Sequence, residues 1–293
     1  MANQDQADYW NRRSISWDEE ATKAEPVIGP FGQMAMEALR LRVGERVLDI
    51  GCGTGVTTRM LADALHPSGH AHGVDISSAM IDIARERVFH GGASFEVADA
   101  QVAAVEGAPF DAAFSRFGVM FFSDPEAAFA NIRRSLLPGG RLGFACWQDL
   151  SLNDWIGLPA TAVYGLLPEG TAPAPVAGEP GPFSMADAEG IYEMLQGAGY
   201  SLVRVEPIEH SVELPVELVD AVVEFGCGSG LVRDALRDAS PDVVERAVGA
   251  IREAIEDCVV EIEPEPAAEG EEPGPPARVL RLSAAAHIVT ARA

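Results

Sequence analysis

Five short β-type runs separated by helical segments restrict the fold of this chain more than any other feature of its sequence. The runs begin at Arg46, His70, Ser94, Phe110 and Arg141, and helix-like stretches or glycine-rich turns separate them. Strands that alternate with helices form βαβ units, which build a parallel sheet covered by helices on both faces. The sequence therefore predicts an α/β chain with a doubly wound sheet.

In the second half of the chain, strands and helices alternate less regularly. Two later strands are predicted at Tyr200–Val212 and Arg278–Arg292, which makes the sheet seven-stranded. The segments between the strands are predicted as helices and loops, and Glu261–Pro276 is dense in Glu and Pro. We therefore expect three parts: an N-terminal lid or arm (1–30), a core (31–150, 183–213 and 278–293), and an inserted helical cap with an acidic loop (151–182 and 214–277).

A glycine-rich turn, Gly51-Cys-Gly-Thr-Gly55, follows the first predicted strand. Glycines at a strand–helix turn let a ligand come close to backbone N–H groups. The dinucleotide fingerprint requires Gly or Ala where Val56 stands, so an NAD(P) oxidoreductase is disfavoured. The turn also lacks the Lys-Ser/Thr pair of a phosphate-binding P-loop. A glycine turn alone does not identify the ligand, so the residues around it have to be considered as well.

Three carboxylates are predicted near this turn. Asp75 ends the second strand, where a carboxylate can accept hydrogen bonds from both hydroxyls of a ribose. Asp99 follows the third strand, where it can accept from the exocyclic amine of adenine. Asp49 precedes the turn and can hold an ammonium group directly or through water. Together they predict a ligand with adenosine at one end and an amino acid at the other.

With these residues in place, the sequence resembles the class I S-adenosylmethionine-dependent methyltransferases, in particular the ubiquinone/menaquinone-biosynthesis-like group that acts on small natural products. The resemblance covers residues 25–150 closely and rests on five motifs in order: LDIGCGTG (48–55), GVDIS (73–77), ADAQ (98–101), FDAAFSRFGVMFF (110–122) and LLPGGRLGF (136–144). It implies a Rossmann-like, mostly parallel sheet whose last strand is antiparallel, with S-adenosyl-L-methionine at the carboxyl ends of the strands. The cofactor-binding residues that it implies are Trp17, Asp49, Gly51, Cys52, Gly53, Gly55, Asp75, Ile76, Met80, Ala98, Asp99, Ala100, Ser115, Phe117 and Met120.

The expected activity is transfer of a methyl group to oxygen, carbon or nitrogen of a small, fairly apolar molecule by in-line displacement. The sequence contains no recognisable catalytic triad, so the catalytic residues stay unknown, with Asp154, Glu224 and His210 as weak candidates for a base. A second glycine pattern, Gly226-Cys-Gly-Ser-Gly230, lacks the preceding aspartate and is interpreted as a turn between cap helices. Two alternatives stay open: non-methyl chemistry on the same cofactor, such as cyclisation or decarboxylation, and a non-catalytic cofactor-binding partner.

Charge excludes several classes of partner. The chain has 45 Asp and Glu against 21 Lys and Arg, a formal net charge of −24, and shows no basic patch. Nucleic acid and anionic membranes are therefore disfavoured as partners. The four cysteines show no zinc-type spacing, and no metal is expected. Without a signal peptide or a long apolar run, we expect a cytoplasmic protein; its oligomeric state stays open, a homodimer included.

Overall fold

The computed structural model describes residues 3–87, 91–168, 179–263 and 276–293. Its strands form one sheet with the order β3-β2-β1-β4-β5-β8-β6, and β7 pairs with β8. The strands are β1 (Arg46–Ile50), β2 (His70–Asp75), β3 (Ala93–Val97), β4 (Phe110–Arg116), β5 (Leu136–Trp147), β6 (Ser201–Pro215), β7 (Val259–Ile262) and β8 (Ala277–Arg292).

Five neighbouring strands of this sheet are parallel. β1 pairs in parallel with β2 and β4, β2 with β3, and β4 with β5, whereas β8 is antiparallel to β5. The predicted α/β class and the mostly parallel sheet are confirmed, and β7 raises the strand number to eight. The direction of strand order reverses between β1 and β4, and open α/β sheets bind ligands at such a switch point.

The helices are α1 (Gln4–Leu39), α2 (Val56–Leu65), α3 (Ser78–Glu86), α4 (Pro125–Arg134), α5 (Asp154–Tyr164), α6 (Ala188–Gly197), α7 (Val219–Gly228), α8 (Gly230–Ala235) and α9 (Pro241–Glu256). A side chain caps the N-terminus of α3, α4, α6 and α8. Asp124 caps α4 by accepting from the N–H of Ala127 at 3.0 Å, with Pro125 at the first helical position. None of the helices in the described ranges is both long and apolar enough to cross a bilayer.

The chain divides into two compact units. Unit 1 comprises Met1–Gln148, Val176–Ile208 and Ala286–Ala293, and unit 2 comprises Asp149–Pro175 and Glu209–Ala285. The core of unit 1 lies on the sheet and is built from large, fully buried side chains, among them Phe110, Phe114, Phe129 and Phe144. The core of unit 2 is helical, with α5, α7 and α9 packed on one another.

The N-terminal region differs from its prediction. The sequence predicts a short helix or an ordered arm over residues 1 to about 25, followed by a separate helix over Pro26–Leu41 from the apolar spacing of Val27, Phe31 and Leu39. The structure instead has one continuous helix, α1, with Pro26 and Pro30 inside it. Its second half packs against β4 and β5 and fully buries Phe31 and Ala35. This burial outweighs the two backbone hydrogen bonds that the prolines remove.

Three smaller predictions also need correction. Val259–Ile262 is a strand where we expected helix to about residue 260, and the predicted acidic loop lies outside the described residues from 264 to 275. Ser184 was expected to cap α6, but Asp187 does so. β5 begins at Leu136 rather than at Arg141. Pro138, Gly139 and Gly140 do not interrupt the strand; they lie in a shift of the β4–β5 pairing, between the pairs Phe110–Leu136 and Ala112–Arg141.

Gly73 lets α2 approach the central strand β2. A Cβ at this position would lie 2.7 Å from Oγ1 of Thr58 and 2.9 Å from both Sγ of Cys52 and Cδ1 of Phe95. We therefore expect Gly73→Ala to reduce the free energy of unfolding by about 1–3 kcal/mol, as overpacked cores do. Urea unfolding followed by circular dichroism measures this. Gly181→Ala is the matched control, since its Cβ would meet nothing within 4 Å; equal stabilities of the two variants would contradict this packing.

Candidate functional site

The turn after β1 depends on glycine for its conformation. Gly51, Gly53 and Gly55 have φ values of 65°, 53° and 85°, in the left-handed region that other residues rarely adopt. A Cβ on Gly51 would lie 2.9 Å from Cα of Gly118, which belongs to the turn after β4. The two backbone turns therefore approach each other closely at the switch point of the sheet.

Asp75 joins the ends of two strands. Its Oδ2 accepts from the N–H of Gly53 at 2.9 Å, and its Oδ1 accepts from the N–H of Ser77 at 2.8 Å. Burial raises the pKa of Asp75, and the hydrogen bonds from Ser77 and Gly53 act in the opposite direction. Each carboxylate oxygen can accept a further hydrogen bond, so the group can fix the glycine turn and still bind a diol.

Asp49 is a fully buried carboxylate with one unused oxygen. Its Oδ2 accepts from the hydroxyls of Thr57 and Thr58, both at 2.7 Å. Its Oδ1 is buried and has no hydrogen-bond partner among the described residues. Burial raises the pKa of Asp49 to about 6, while the two threonines and Arg116 lower it. An unpaired buried acceptor beside the glycine turn suits an ammonium group.

Both carboxylate oxygens of Asp99 accept hydrogen bonds. Its Oδ1 accepts from the N–H of Gln101 at 3.0 Å, and its Oδ2 accepts from Nδ2 of Asn3 at 2.9 Å. Asp99 was predicted from the sequence, but Asn3, the residue before α1, was not. The side-chain amide of Asn3 therefore lies where the exocyclic amine of an adenine was predicted to donate.

The N-terminal half of α1 contacts the other loops of this edge in the same way. Oδ1 of Asn11 accepts from Oγ of Ser77 at 2.8 Å and from the N–H of Ala79 at 3.1 Å. Oδ1 of Asp18 accepts from Oγ1 of Thr54 at 2.7 Å. The only sequence signal for these residues was their spacing of seven or eight, or two helical turns, which places them on one stripe of the helix.

Two further contacts extend that stripe. Glu25 of α1 pairs with Arg116 at 2.8 Å, so the guanidinium group of Arg116 is held in an ion pair. Nε1 of Trp17 lies 4.0 Å from the Cβ position of Gly53. Trp10 packs edge-on against Trp17 and Phe121, with ring centroids 5.5 and 4.9 Å away. Trp17 of α1 therefore lies against the glycine turn, and Trp10 connects it to Phe121 in the loop after β4.

The turn after β4 brings together three predicted residues. Ser115 is fully buried, donates from Oγ to the carbonyl of Ile50 at 2.8 Å and accepts from the N–H of Gly118 at 3.2 Å. Phe117 has a φ of 60° and stacks on Trp147 with a centroid distance of 3.9 Å. Met120 accepts from the N–H of Trp147 through its sulfur at 3.4 Å. A strained non-glycine residue at this edge is typical of functional turns.

The remaining predicted cofactor residues line the same loops. Cys52 is buried, which raises the pKa of its thiol, and its N–H donates to the carbonyl of Val74 at 3.1 Å. The N–H of Ala98 donates to the carbonyl of Asp75 at 2.9 Å. Ile76 lies beside Asp75, Met80 is buried in α3, and the carbonyl of Ala100 accepts from Nδ2 of Asn131 at 2.9 Å.

The three candidate bases lie in unit 2, whereas all predicted cofactor residues lie in unit 1. Asp154 begins α5 and accepts from the N–H of Ser283 at 2.8 Å, Glu224 is in α7, and His210 is in β6. The second glycine pattern lies at the junction of α7 and α8, with Ser229 between them, as the sequence predicted.

Comparison with known proteins shows which family of proteins this region resembles. Residues 47–140 match the family described as a methyltransferase domain. The chain is 34% identical over 118 residues to aklanonic acid methyltransferase DauC from Streptomyces sp. strain C5, which covers 39% of this chain and 54% of that protein. It is 33% identical over 114 residues to the ubiquinone/menaquinone biosynthesis C-methyltransferase UbiE from Saccharophagus degradans, covering 38% and 46%.

A solved structure agrees at the level of the fold. The YcgJ protein from Bacillus subtilis has a TM-score of 0.53 at 17% identity and covers 89% of this chain and 97% of its own. The chain spans about half the length of the two curated relatives. The matched region holds the glycine turn, Asp75 and Asp99. Over this region the predicted resemblance to class I S-adenosylmethionine-dependent methyltransferases is confirmed.

The raised pKa of Asp49 predicts a pH dependence of stability. Its pKa of about 6 exceeds the ordinary 3.8, so the folded state holds this proton more tightly than the unfolded chain. Ionisation therefore costs stability as pH rises between these values, by about 3 kcal/mol at pH 7. We expect Asp49→Asn to become more stable relative to wild type by about this amount between pH 4 and pH 7, measured by urea unfolding.

The matched control is Asp63→Asn, because the Asp63 side chain is 73% exposed. Its stability relative to wild type should stay constant over the same pH range to within about 0.5 kcal/mol. A constant difference for Asp49→Asn as well would show that Asp49 is not a buried acid with a raised pKa.

Proposed function

We propose that this chain is an S-adenosylmethionine-dependent methyltransferase that acts on a small, fairly apolar molecule. The observation that carries the proposal is the row of three carboxylates, Asp49, Asp75 and Asp99, at the ends of β1, β2 and β3 beside a glycine turn. The methyltransferase family match over residues 47–140 supports the reaction type.

Each carboxylate suits one part of the cofactor. Asp75 would accept from the ribose hydroxyls, Asp99 from the adenine amine, and the unpaired Oδ1 of Asp49 from the ammonium group. The glycine turn admits the ligand to the backbone at Gly51 and Gly53. When bound, S-adenosylmethionine supplies a methyl group already activated by its sulfonium. The protein then has to orient the acceptor and exclude water.

Apolar and aromatic side chains near the turn after β4 support the acceptor class. Phe117 and Met120 are buried there, and Phe121 packs against Trp10. Two relatives are named for aklanonic acid and for ubiquinone/menaquinone biosynthesis, and small molecules of this kind fit the proposal. The acidic charge of the chain supports an enzyme that binds neither nucleic acid nor an anionic membrane.

The first test is cofactor binding. We expect Asp75→Ala to weaken S-adenosylmethionine at least tenfold in a calorimetric titration, about 1.4 kcal/mol, because it removes the ribose acceptor and frees Gly53. Asp63→Ala, at an exposed position, should bind as wild type does. Equal affinity of wild type and Asp75→Ala would refute the assigned cofactor site.

The second test is the mass of the product. A screen of small, fairly apolar acceptors, aklanonic acid among them, should give products heavier by one CH₂ group together with S-adenosylhomocysteine. Products without that gain would indicate a cyclisation or decarboxylation on the same cofactor. No turnover of any acceptor by a protein that binds the cofactor would favour a non-catalytic partner.

We also propose that the first half of α1 is a lid over the cofactor. Asn3, Asn11 and Asp18 each hydrogen-bond to a different loop of the site. Binding of S-adenosylhomocysteine should therefore slow hydrogen exchange of the amides in residues 4–20, measured by mass spectrometry. The amides of α6 serve as the control and should not change. Unchanged exchange in residues 4–20 with the ligand bound would argue against a lid.

A further inference from the structure

Arg13 is a buried arginine whose guanidinium group is only partly used. Its side chain is 10% exposed, and Nη2 pairs with Oε2 of Glu20 at 2.5 Å. Its Nε and Nη1 are buried and have no hydrogen-bond partner among the described residues. Proteins pair nearly all buried donors, because an unpaired one loses its hydration without compensation. Cζ of Arg13 also lies 5.7 Å from the centroid of the Tyr9 ring, but this contact gives Nε and Nη1 no hydrogen-bond acceptor. These two N–H groups therefore indicate an acceptor that a ligand brings.

The position of Arg13 on α1 places it between two contacts with the site. Trp10 precedes it by three residues and Trp17 follows it by four, so the three side chains are neighbours on one face of the helix. Trp10 packs on Phe121, in the loop after β4. Trp17 lies against Gly53, in the turn after β1. Arg13 thus lies on the part of α1 that borders the switch-point crevice.

Two unpaired acceptors accompany these donors. Oε1 of Gln6, seven residues before Arg13 on the same face of α1, is buried without a partner in the described part of the chain, and so is Oδ1 of Asp49. The other arginine at this edge, Arg116, is paired with Glu25. The set of unpaired atoms suits a ligand that carries both an anionic acceptor and N–H donors.

We propose that Arg13 binds a carboxylate group of a ligand in the cofactor crevice, through hydrogen bonds from Nε and Nη1. The planar guanidinium group matches the geometry of a carboxylate, which makes arginine the preferred residue for this contact. The inference rests on the proposed function. The carboxylate has two sources: the amino-acid end of S-adenosylmethionine, or an acidic acceptor.

The experiment compares two nucleosides that differ only in that group. S-adenosylhomocysteine and its decarboxylated analogue are titrated calorimetrically into wild type, Arg13→Met and Arg12→Met. Arg12 is the matched control, because it is exposed on the same turn of α1. We expect Arg13→Met to weaken S-adenosylhomocysteine at least tenfold and to bind the analogue within twofold of wild type. Arg12→Met should bind both as wild type does.

A second arm identifies the acceptor as the source. Benzoate is titrated into each protein saturated with S-adenosylhomocysteine. If Arg13→Met binds the nucleoside normally but loses the benzoate that wild type binds, Arg13 serves an acidic acceptor. If Arg13→Met changes neither titration, or weakens both nucleosides equally, the proposal is wrong.

Two controls keep these outcomes separate from failure of the proposed function or of folding. If wild type does not bind S-adenosylhomocysteine, the proposed function fails, and benzoate titrated into the free proteins decides the role of Arg13. Circular dichroism verifies that Arg13→Met is folded. If it is not, Arg13→Gln replaces it, because glutamine is polar but lacks the positive charge and the paired Nε and Nη1 donors; the same fold-changes then apply.

Discussion

The hydrogen bonds of Asp75 to the N–H groups of Gly53 and Ser77 organise this site. β1 and β2 are parallel neighbours, so their carboxyl ends lie at one edge of the sheet. Asp75 uses both oxygens to hold the turn that follows each strand. The N–H groups of Gly51 and Cys52 also donate to Val74, so β2 fixes the glycine turn at three points. A turn held in this way is ready for a ligand before the ligand arrives.

The electrostatics of the edge favour a cation. Asp49 and Asp75 are both buried, and burial raises the pKa of each; the charge of Asp75 raises the pKa of Asp49 further. Arg116 offsets part of this cost at Asp49 but is itself paired with Glu25. A ligand with an ammonium and a sulfonium group would relieve the remaining repulsion. The two buried carboxylates therefore favour binding of a positively charged ligand.

Local sequence patterns predicted the central sheet and the glycine turn because both depend on residues close in sequence. β1, β2 and β4 begin at Arg46, His70 and Phe110, where their β-type runs were predicted to begin. The contact between Asn3 and Asp99 was missed because it joins residues 96 positions apart and leaves no local pattern. β7 was missed because four residues beside a polar stretch carry too little alternation to be distinguished from a helix end.

Pro26 and Pro30 separate two halves of α1 that make different contacts. Before them, Asn11 and Asp18 bind the loops that hold the candidate cofactor residues. After them, Phe31 and Leu39 are buried as part of the core on β4 and β5. The prolines remove the hydrogen bonds that would reach the carbonyls of Thr22 and Pro26, so the helix has its weakest backbone support where its role changes. The first half can therefore move over the site while the second half stays fixed in the core.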